Sequence, residues 1–533
     1  MNILIVGSGP AGVSAAKALV DAGRSVTMLT AGEAVQPPAR HQDWWSTRSI
    51  EPSGWRTLQG SDPTIWGAAD KTSPKFRTPR AAALFAGYSK ALQIRENGFT
   101  ARGALAIGGL SESWGAGVAC FGPEDLAGSV LTAESLQPHY RQIAEHVGVS
   151  GADDDLGVFF GPMPGLQPPG PLGPAAAWLQ AGYGRARRGF ANAGVALGRS
   201  RNAVLTSDKN GRGGCIRCGM CLWGCGEGSI YAASQDVAWL TTKPGFRLLT
   251  GLFVTGLRRE GDNWQVEAQD QTTGEVSVHL APRVLLAAGA LGTARLIRAS
   301  LNLHGAPGPL LSNPTAAFAL WLPRLLGAAQ ADSAFALAQL SMSITGPNGL
   351  ADAAFANLFQ MSGLPANELI SRLPLSLPAG RRLMRTLMPG LLAGNLFLQG
   401  SLSRHSLRLG IDGGLELSGG FAPEIDARLA DIRRRLERIM LGAGALLLPG
   451  GFTLSQAGSD LHYAGTAPMR ANPVLGESDA AGEVAGMRGV HVVDGAALPV
   501  LPAKAHTFTI MANARRIATE LLRQADRVSL LQP

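Results

Sequence analysis

Apolar and polar positions at the start of the chain follow the order of a strand, a turn, a helix and a second strand. Asn2–Val6 is an almost continuous apolar run, which predicts a buried strand, and Ser25–Leu29 predicts another. Small residues over 7–12 predict a tight turn between them, and Ser14–Ala22 predicts a helix that ends near Gly23. This βαβ opening predicts an α/β fold built on a parallel sheet, with α+β character over the whole chain.

The same periodicities recur later in the chain. Residues 245–280 alternate with a period of two and predict a β-meander. Arg283–Ala288 predicts a buried strand that leads into a helix over Gly289–Ser300. Further helices are predicted over Leu136–His146, over Ala176–Ala193 and, with Pro423 in the first turn, in a long segment that ends near Gly442.

The composition divides the chain into two units. Residues of about 301–455 are apolar, poor in lysine and interrupted by prolines, whereas residues 456–533 return to strand, loop and helix. We therefore expect one discontinuous domain, made of residues 1–300 and 456–533, and a cap domain over 301–455 that lies above a substrate site. Residues of about 34–100 are rich in Trp, Pro and Arg and predict an irregular excursion.

Overall composition excludes several classes of protein. Of the 533 residues, 46% are hydrophobic and 16% are charged, which excludes a disordered chain. The glycines follow no G-X-Y period, and five cysteines are too few for a disulfide scaffold. The net charge of +8 comes mostly from scattered arginines, without a block of like charges or a nucleic-acid motif, so we expect no nucleic-acid partner.

The N-terminus enters an apolar strand without a basic region or a cleavage site. We therefore expect a cytoplasmic protein, unless a partner subunit carries it out. The longest uncharged stretches, such as Ile439–Gln456, are interrupted by Gly and Pro and lack the run of about 20 apolar residues that spans a bilayer.

The turn after the first strand has the pattern of a dinucleotide site. Gly7, Gly9 and Gly12 form G-x-G-x-x-G with Pro10 and Ala11 between the last two glycines. One glycine makes the turn, one lets the backbone approach a pyrophosphate, and one lets helix and strand pack closely. The helix N-terminus then presents its positive end to the phosphates.

An acidic residue that binds the ribose is expected about 20 residues further on, at the end of the second strand. This chain has Thr30 at that place and Glu33 three residues later. Thr30 offers a hydroxyl and Glu33 offers a carboxylate, and the sequence leaves both open as the ribose ligand.

Four of the five cysteines form one run, Cys215-x2-Cys218-x2-Cys221-x3-Cys225, in a glycine-rich loop at 211–228. This is the spacing of ferredoxin-type ligands and predicts a [4Fe–4S] cluster, with [3Fe–4S] as an alternative. Structural zinc normally uses two pairs of ligands separated by a dozen or more residues, and disulfides are disfavoured in a cytosolic chain. Zinc and redox-active thiols stay open as alternatives, and Cys120 is either a fourth ligand or a small buried residue.

Four separated segments resemble the glucose–methanol–choline (GMC) family of FAD-dependent oxidoreductases, in the order in which that family has them. The resemblance covers the FAD-binding parts of the chain well and residues 301–455 poorly. The segments are GSGPAG with AGE at 31–33, the loop GGLSESWG at 108–115, AAGALGT at 287–293 and VVDG at 492–495.

The resemblance implies a Rossmann-like FAD domain with a substrate-binding cap, and it implies further cofactor-binding residues. These are Gly108, Gly109, Ser111, Ser113 and Trp114 beside the isoalloxazine, Ala288 and Gly289 in the second signature, and Asp494 and Gly495 near the ribityl–pyrophosphate. In the pyranose-oxidising branch, a His in the loop before the Trp is bonded to FAD. Ser113 stands in that place here, so we expect FAD to be bound noncovalently.

The resemblance also assigns a catalytic pair. His462 lies in LHYAGT and His506 in AHTFTI, the two C-terminal segments that carry the family's catalytic residues. Oxidation of CH–OH sends a hydride to the flavin and a proton to a base, and His is the side chain whose pKa suits that base near neutral pH. The second His holds the same oxygen. From the sequence, His506 is the preferred base.

The Cys run is similar to the cluster region of the bacterial FAD glucose dehydrogenases, a branch of the same family. That similarity implies an electron exit, in which the cluster passes the flavin's electrons singly to an external acceptor. Such an exit predicts a dehydrogenase rather than an oxidase.

Residues 372–399 contain leucines beside Arg381, Arg382 and Arg385. A basic amphipathic stretch of this kind either forms the inner wall of the cap or lies on an anionic membrane. In the second case the acceptor would be a quinone or a membrane cytochrome, or the substrate would be linked to a lipid.

Together these features predict an FAD-dependent dehydrogenase that oxidises a CH–OH group of a sugar, polyol or related alcohol. Two alternatives stay open. One is a biosynthetic redox enzyme that acts on a sugar-like or lipid-linked intermediate, and the other is a flavo-iron–sulfur electron-transfer protein without alcohol turnover.

Overall fold

The computed structural model describes residues 2–37, 40, 58, 74–329, 335–361, 369–370 and 373–530. The irregular excursion that the sequence predicts over 34–100 lies partly outside these residues.

Strands occur along the whole described chain and are numbered in chain order. They are β1 (Asn2–Val6), β2 (Ser25–Leu29), β3 (Arg95–Asn97), β4 (Val195–Arg199), β5 (Phe246–Leu249), β6 (Leu252–Glu260), β7 (Asn263–Asp270), β8 (Val276–Ala281), β9 (Arg283–Leu286), β10 (Gly308–Leu310), β11 (Thr315–Trp321), β12 (Leu340–Gly346), β13 (Gly349–Gln360), β14 (Leu391–Phe397), β15 (His405–Leu409), β16 (Leu415–Ser418), β17 (Leu446–Leu447), β18 (Thr453–Leu454) and β19 (Val490–Val492).

The α-helices lie between these strands. They are α1 (Pro10–Asp21), α2 (Pro79–Phe85), α3 (Tyr88–Ala91), α4 (Ala133–Val147), α5 (Gly157–Phe160), α6 (Pro174–Asn192), α7 (Ala233–Leu240), α8 (Ala290–Ser300), α9 (Leu377–Leu387), α10 (Ile425–Gly442) and α11 (Thr507–Leu530).

A five-stranded parallel sheet, in the order β19-β9-β1-β2-β5, forms the base of the molecule. The predicted βαβ opening is confirmed, with β1 and β2 at the predicted residues and in parallel register from Asn2↔Ser25 onward. Helix α1 begins at Pro10, four residues before the predicted start, because proline is well suited to the first helical position, where its missing N–H would have no helical partner. The C-terminal helix α11 packs against α1.

The segment predicted as one β-meander divides between two sheets. β6, β7 and β8 form an antiparallel three-stranded sheet as expected. β5 instead pairs in parallel with β2 at the edge of the first sheet, so the meander prediction is wrong for residues 246–249. The chain reverses at Gly251, whose φ of +70° is a left-handed conformation that glycine adopts without strain.

A larger sheet, which we call the cap sheet, has the order β17-β11-β14-β13-β12-β4, with β18 also paired to β11. Its strand β4 comes from residues 195–199, so the cap sheet takes strands from both sides of residue 301. Helices α6 and α10 cover one face, where Leu179, Phe190 and Leu436 join inward-facing residues of the sheet in a second hydrophobic core. The other face of β11, β13 and β14 is left to line a cavity.

A four-stranded sheet, β10-β15-β16-β3, connects the two parts, and its leucines on β15 and β16 belong to the core of the parallel sheet. The mixed architecture confirms the predicted α/β class. In the described part of the chain, no helix is both long enough and apolar enough to cross a bilayer.

Candidate active site

The predicted dinucleotide turn closes tightly against strand β9. Gly7 has a φ of +107°, and a Cβ on it would lie 2.2 Å from the carbonyl oxygen of Ala287. A Cβ on Gly12 would lie 2.1 Å from the carbonyl oxygen of Gly7, so this glycine packs α1 onto the turn and does not face the cavity. A Cβ on Gly9 would meet nothing within 4 Å, so this backbone is open to a ligand.

The two candidates for the ribose ligand lie in different surroundings. Thr30 is buried at the end of β2, lines the cavity, and its hydroxyl is hydrogen-bonded to that of Ser8 at 2.8 Å. Glu33 is exposed and is absent from the described lining of the cavity. Neither placement decides between them, and both stay predictions.

The second predicted loop, at 108–115, folds directly over the glycine turn. A Cβ on Gly109 would approach Cα of Gly9 to 3.5 Å, and one on Gly108 would lie 2.1 Å from Oε1 of Glu112. The hydroxyl of Ser111 donates to the Gly108 carbonyl at 2.6 Å and accepts from the Ala233 amide at 2.9 Å.

Within that loop, Ser113 and Trp114 line the cavity, together with Gly109 and Ser111. The indole Nε1 of Trp114 donates to the carbonyl of Tyr231 at 2.8 Å, and the two rings meet edge to face. Ser111 and Trp114 therefore hold the loop against residues 231–233.

The segments at 287–293 and 492–495, which the sequence predicts to bind FAD, meet each other at the carboxyl end of the parallel sheet. The hydroxyl of Thr293 donates to Oδ2 of Asp494 at 2.6 Å, and the amide of Ala496 donates to Oδ1 at 2.9 Å. Burial raises the pKa of Asp494 to about 6. Ala288, Gly289, Asp494 and Gly495 all line the cavity.

One cavity of about 2100 Å³ is lined by most of the predicted site residues, but not by Gly12, Glu33, Gly108, Cys215, Cys218 or Cys225. Its described lining includes Gly7, Gly9, Pro10, Ala11, Thr30, Gly109, Ser111, Ser113, Trp114, Ala288, Gly289, Asp494, Gly495, His462, His506 and Cys221. The residues of the glycine turn fit a dinucleotide because the open Gly9 backbone lies at the positive end of α1, where a pyrophosphate binds best. This cradle supports FAD as the occupant of that end.

His462 is held by side chains on three sides. Its Nδ1 lies 2.9 Å from Oδ1 of Asn313, and its ring stacks on Phe397 with a centroid distance of 5.2 Å. Its amide donates to Asp460, whose pKa burial raises to about 6. Leu461, just before it, has a φ of +63°, a conformation that costs energy in a leucine and therefore marks a position fixed by its surroundings.

The hydrogen bonds of Asn313 determine the tautomer of His462. The amide nitrogen of Asn313 donates to the carbonyls of Leu398 at 2.7 Å and Pro502 at 3.1 Å, so the amide cannot be flipped. Its oxygen therefore faces His462 as an acceptor, and Nδ1 of His462 must carry the hydrogen. In the neutral ring, Nε2 then carries the lone pair.

The surroundings of the His506 ring differ from those of His462. It lies immediately before α11 and is 7% exposed. The centroid of its ring lies 4.8 Å from that of His462, and the two ring planes meet at 66°. Burial lowers its pKa to about 4, so the ring is neutral at physiological pH. Among the described residues, its buried Nδ1 has no hydrogen-bond partner.

The predicted Cys loop borders the same cavity. Cys221 lines it, and Cys225 lines a smaller adjoining cavity together with Trp114 and Arg212. Arg217, with a φ of +59°, and several glycines of the loop turn the backbone through left-handed conformations. Across the described ranges, no three His, Cys, Asp or Glu side chains are arranged to hold a metal ion, so the cluster at Cys215, Cys218, Cys221 and Cys225 stays a prediction.

Cys120 lies in other surroundings. It is 2% exposed, and its thiol approaches the carbonyl of Pro162 at 3.8 Å. Burial raises the pKa of this thiol to about 12, and the charged groups that oppose the shift are Arg201 and Lys504. These contacts are those of a small buried residue.

Sequence reasoning missed the residues that position the pair. Asn313 precedes β11, and Phe397 ends β14; both reach His462 only because distant strands come together in the cap sheet. The single available signal was a polar pair, Ser312-Asn313, inside an otherwise apolar stretch.

Comparisons with known proteins agree with this geometry. Residues 450–514, which contain both histidines, match the family model for GMC oxidoreductase. The fold is similar to that of pyridoxine 4-oxidase from Mesorbium loti, with a TM-score of 0.59 and 17% identity over 98% of this chain and 99% of that one. It is also similar to a variant of the formate oxidase from Aspergillus oryzae RIB40, studied for FAD modification, with a TM-score of 0.61 and 13% identity over 98% of each chain. No curated protein sequence matches the chain.

At these identities the structural matches establish the fold. Together with the C-terminal family match, they indicate an oxidoreductase that acts on CH–OH donors.

Proposed function

We propose that this chain is an FAD-dependent dehydrogenase that oxidises a CH–OH group of a sugar, polyol or related alcohol. The observation that carries the proposal is that His462 and His506 meet 4.8 Å apart in the cavity that also contains the glycine turn. Alcohol oxidation needs a base for the hydroxyl proton and a second group that orients the oxygen. FAD, when bound, supplies the acceptor for the hydride.

FAD would be held noncovalently by three groups of residues. The open backbone at Gly9 and the N-terminus of α1 would bind the pyrophosphate, and the loop at 108–115 would flank the ring system. Asp494, whose carboxylate accepts from the Thr293 hydroxyl and the Ala496 amide, would lie near the ribityl–pyrophosphate.

We assign the base to His462, in contrast to the sequence-based preference for His506. Asn313 accepts the hydrogen on Nδ1 of His462, so the lone pair belongs to Nε2, which is the nitrogen that takes up the proton. The carbonyls of Leu398 and Pro502 fix Asn313, and the stacked ring of Phe397 fixes the plane of the imidazole. A base held in this way loses little entropy on reaction.

His506 would donate a hydrogen bond to the substrate oxygen. Buried N–H groups without a partner are rarer than buried acceptors without one, so the lone pair belongs on its unpartnered Nδ1. The hydrogen is then on Nε2, where it can hold the alcohol oxygen. Because the pKa of His506 is about 4, its ring stays neutral and does not take up the substrate proton in place of His462.

A [4Fe–4S] cluster on Cys215, Cys218, Cys221 and Cys225 is the second part of the proposal. The ferredoxin-type spacing supports it, and so does the position of the loop, because Cys221 borders the main cavity and Cys225 the adjoining one beside Trp114. Such a cluster would supply one-electron transfer to an external acceptor.

The acceptor would be a cytochrome, a quinone or a redox protein. Helix α9 supports a peripheral membrane contact: Leu377 is 55% exposed and Leu383 is 39% exposed, beside the exposed Arg382. The same helix turns Met384 inward and forms part of the cavity wall. Pelleting with anionic vesicles at low and high salt separates a membrane-binding helix from one that only lines the cap.

Anaerobic addition of alcohols to the purified holoprotein tests the main proposal. We expect sugars or polyols to bleach the flavin absorbance. If no alcohol bleaches it while the protein still exchanges electrons with redox partners, the electron-transfer alternative replaces the proposal. If reoxidation by a carbonyl compound is faster than reduction by any alcohol, the enzyme works in the biosynthetic, reducing direction.

A further inference from the structure

The face of the cap sheet that lines the cavity is ordered in three rungs. Strands β11, β14 and β13 are neighbours, and every second residue points to the cavity. The registers place three residues side by side in each rung: Thr315, Phe397 and Phe355 in the first, Ala317, Asn395 and Asn357 in the second, and Ala319, Ala393 and Phe359 in the third.

The first rung lies at the catalytic pair. Phe397 stacks on His462 with an interplanar angle of 16°, and Phe355 stacks on Phe397 at 28°. The reacting carbon must therefore lie beside this rung, and anything attached to it that extends along the strands meets the other two.

The second rung is polar and lies about 7 Å further along the strands, since two residues of a strand advance by that distance. The Oδ1 of Asn357 accepts from the hydroxyl of Ser341 at 2.9 Å, which leaves its NH₂ group for another partner. Among the described residues, neither that NH₂ group nor the side-chain amide of Asn395 has a hydrogen-bond partner. Two cavity-lining amides of this kind are suited to bind hydroxyl groups.

The third rung is apolar and lies about 13 Å from the first. Beyond it, the cavity continues between Met384, Met388 and Leu448, which belong with Met361 and Ile370 to a separate hydrophobic cluster. The sheet wall thus changes from aromatic to polar and then to apolar with increasing distance from the histidines, and the exposed Arg381 and Arg385 of α9 line the cavity beside Met384.

We infer that the substrate is an elongated amphipathic alcohol, in which a hydroxyl-bearing polar head carries the reactive CH–OH and an apolar tail extends over Phe359 and Ala393. The inference rests on the proposed function, because it places the reacting carbon at His462.

Binding of n-alkyl β-glucosides to the holoprotein tests this inference. Methyl, butyl, hexyl and octyl glucosides share one polar head, and calorimetry below their micelle concentrations compares their affinities. Each fully buried methylene is worth up to about four-fold in affinity. We expect octyl glucoside to bind at least ten-fold more tightly than methyl glucoside; equal affinities along the series, or no binding of any member, would overturn the inference.

Two substitutions then locate the two parts of the ligand. Phe359→Gln should abolish the dependence of affinity on chain length and leave methyl glucoside unaffected, whereas Asn395→Leu should weaken binding of all four glucosides by about the same factor. Val276→Gln, on a strand of the three-stranded sheet where Val276 is 63% exposed, is the matched control and should change nothing. An unchanged chain-length dependence in Phe359→Gln would also contradict the inference.

The outcomes separate this inference from the proposed function. Flavin reduction by short polyols or methyl glucoside, with no gain from a longer chain in rate or binding, would leave the function intact and refute the elongated substrate. Chain-length-dependent binding without flavin reduction by any alcohol would support the elongated ligand and refute the proposed function.

Discussion

At the residue scale, the side-chain amide of Asn313 distinguishes the two histidines. Without it, His462 and His506 are two imidazoles in one cavity, and the sequence alone favours His506 as the base. The two carbonyls that Asn313 binds leave only its oxygen for His462, and that contact gives each imidazole a separate role.

Replacement of Asn313 by Asp tests this assignment. A carboxylate beside Nδ1 of His462 stabilises the protonated imidazole, because an opposite charge at this distance favours the charged form. The base must be neutral to act, so activity should be lost at a higher pH than in the wild type. We expect the acid limb of the rate of flavin reduction to move up by about one pH unit.

The control is Asn357→Asp, at a second cavity-lining amide that does not contact either histidine in the described structure. It should leave the acid limb in place. An unmoved limb in Asn313→Asp would mean that His462 does not take up the proton.

The residues that the sequence could identify are those with a local signature. His462, His506, Gly7, Gly9 and Asp494 all lie in short motifs, and the structure brings them to one cavity. Asn313, Phe397 and Asn395 have no local signature, because their role comes from registers between strands that are far apart in the chain.

At the scale of elements, β1, α1 and β2 could be predicted because their periodicity is local. Pro423 and Gly442 likewise bracket helix α10, Ile425–Gly442, near the predicted bounds. The sequence does not predict that β5 joins the parallel sheet, since an apolar segment next to a meander does not show which sheet edge it will join.

The glycine turn gives a prediction with internal controls. Gly9→Ala adds a methyl group where the structure has open space, so we expect the apoprotein to keep its melting temperature and the purified protein to lose much of its FAD. Gly7→Ala places Cβ 2.2 Å from a backbone oxygen and should destabilise the apoprotein itself. Measurement of FAD content and of apoprotein Tm separates the two effects.

Gly184→Ala, on an exposed position of α6 with nothing within 4 Å, is the matched control. It should retain FAD and gain about 0.5–1 kcal/mol of stability from the better helix propensity of alanine. Normal FAD content in Gly9→Ala would contradict the assignment of the turn to the cofactor.

At the scale of the whole molecule, function depends on the three parts of the protein that border the cavity. The parallel sheet supplies the cofactor end, the cap sheet supplies the opposite wall, and the Cys loop borders the cavity near Trp114. The sequence separates these parts but does not show that β4, from residues 195–199, completes the cap sheet, because that pairing joins segments about 140 residues apart.

The Cys loop gives a prediction for the complete protein. Anaerobically purified protein should contain stoichiometric iron and sulfide together with FAD, and Cys218→Ser should lose the iron but keep FAD and flavin reduction by alcohol. Transfer of electrons to a one-electron acceptor should then fall by at least ten-fold. Cys120→Ser is the control and should keep its iron, since Cys120 is buried elsewhere.

Protein without iron, or loss of iron in Cys120→Ser alone, would contradict the assignment of a cluster to the Cys loop. Stoichiometric zinc in place of iron would assign the loop a structural role.

The central claim is that the histidine pair assists the oxidation of an alcohol by the flavin, with His462 as the base. Single-turnover reduction of the flavin by an alcohol, compared between wild type, His462→Asn and His506→Asn, tests it most directly. We expect equal FAD content in all three, a reduction rate about 10² to 10⁴ times lower in His462→Asn, and a smaller loss in His506→Asn, whose amide can still donate to the oxygen. Wild-type rates in both variants would contradict the site, and a larger loss in His506→Asn would contradict the assignment of the base.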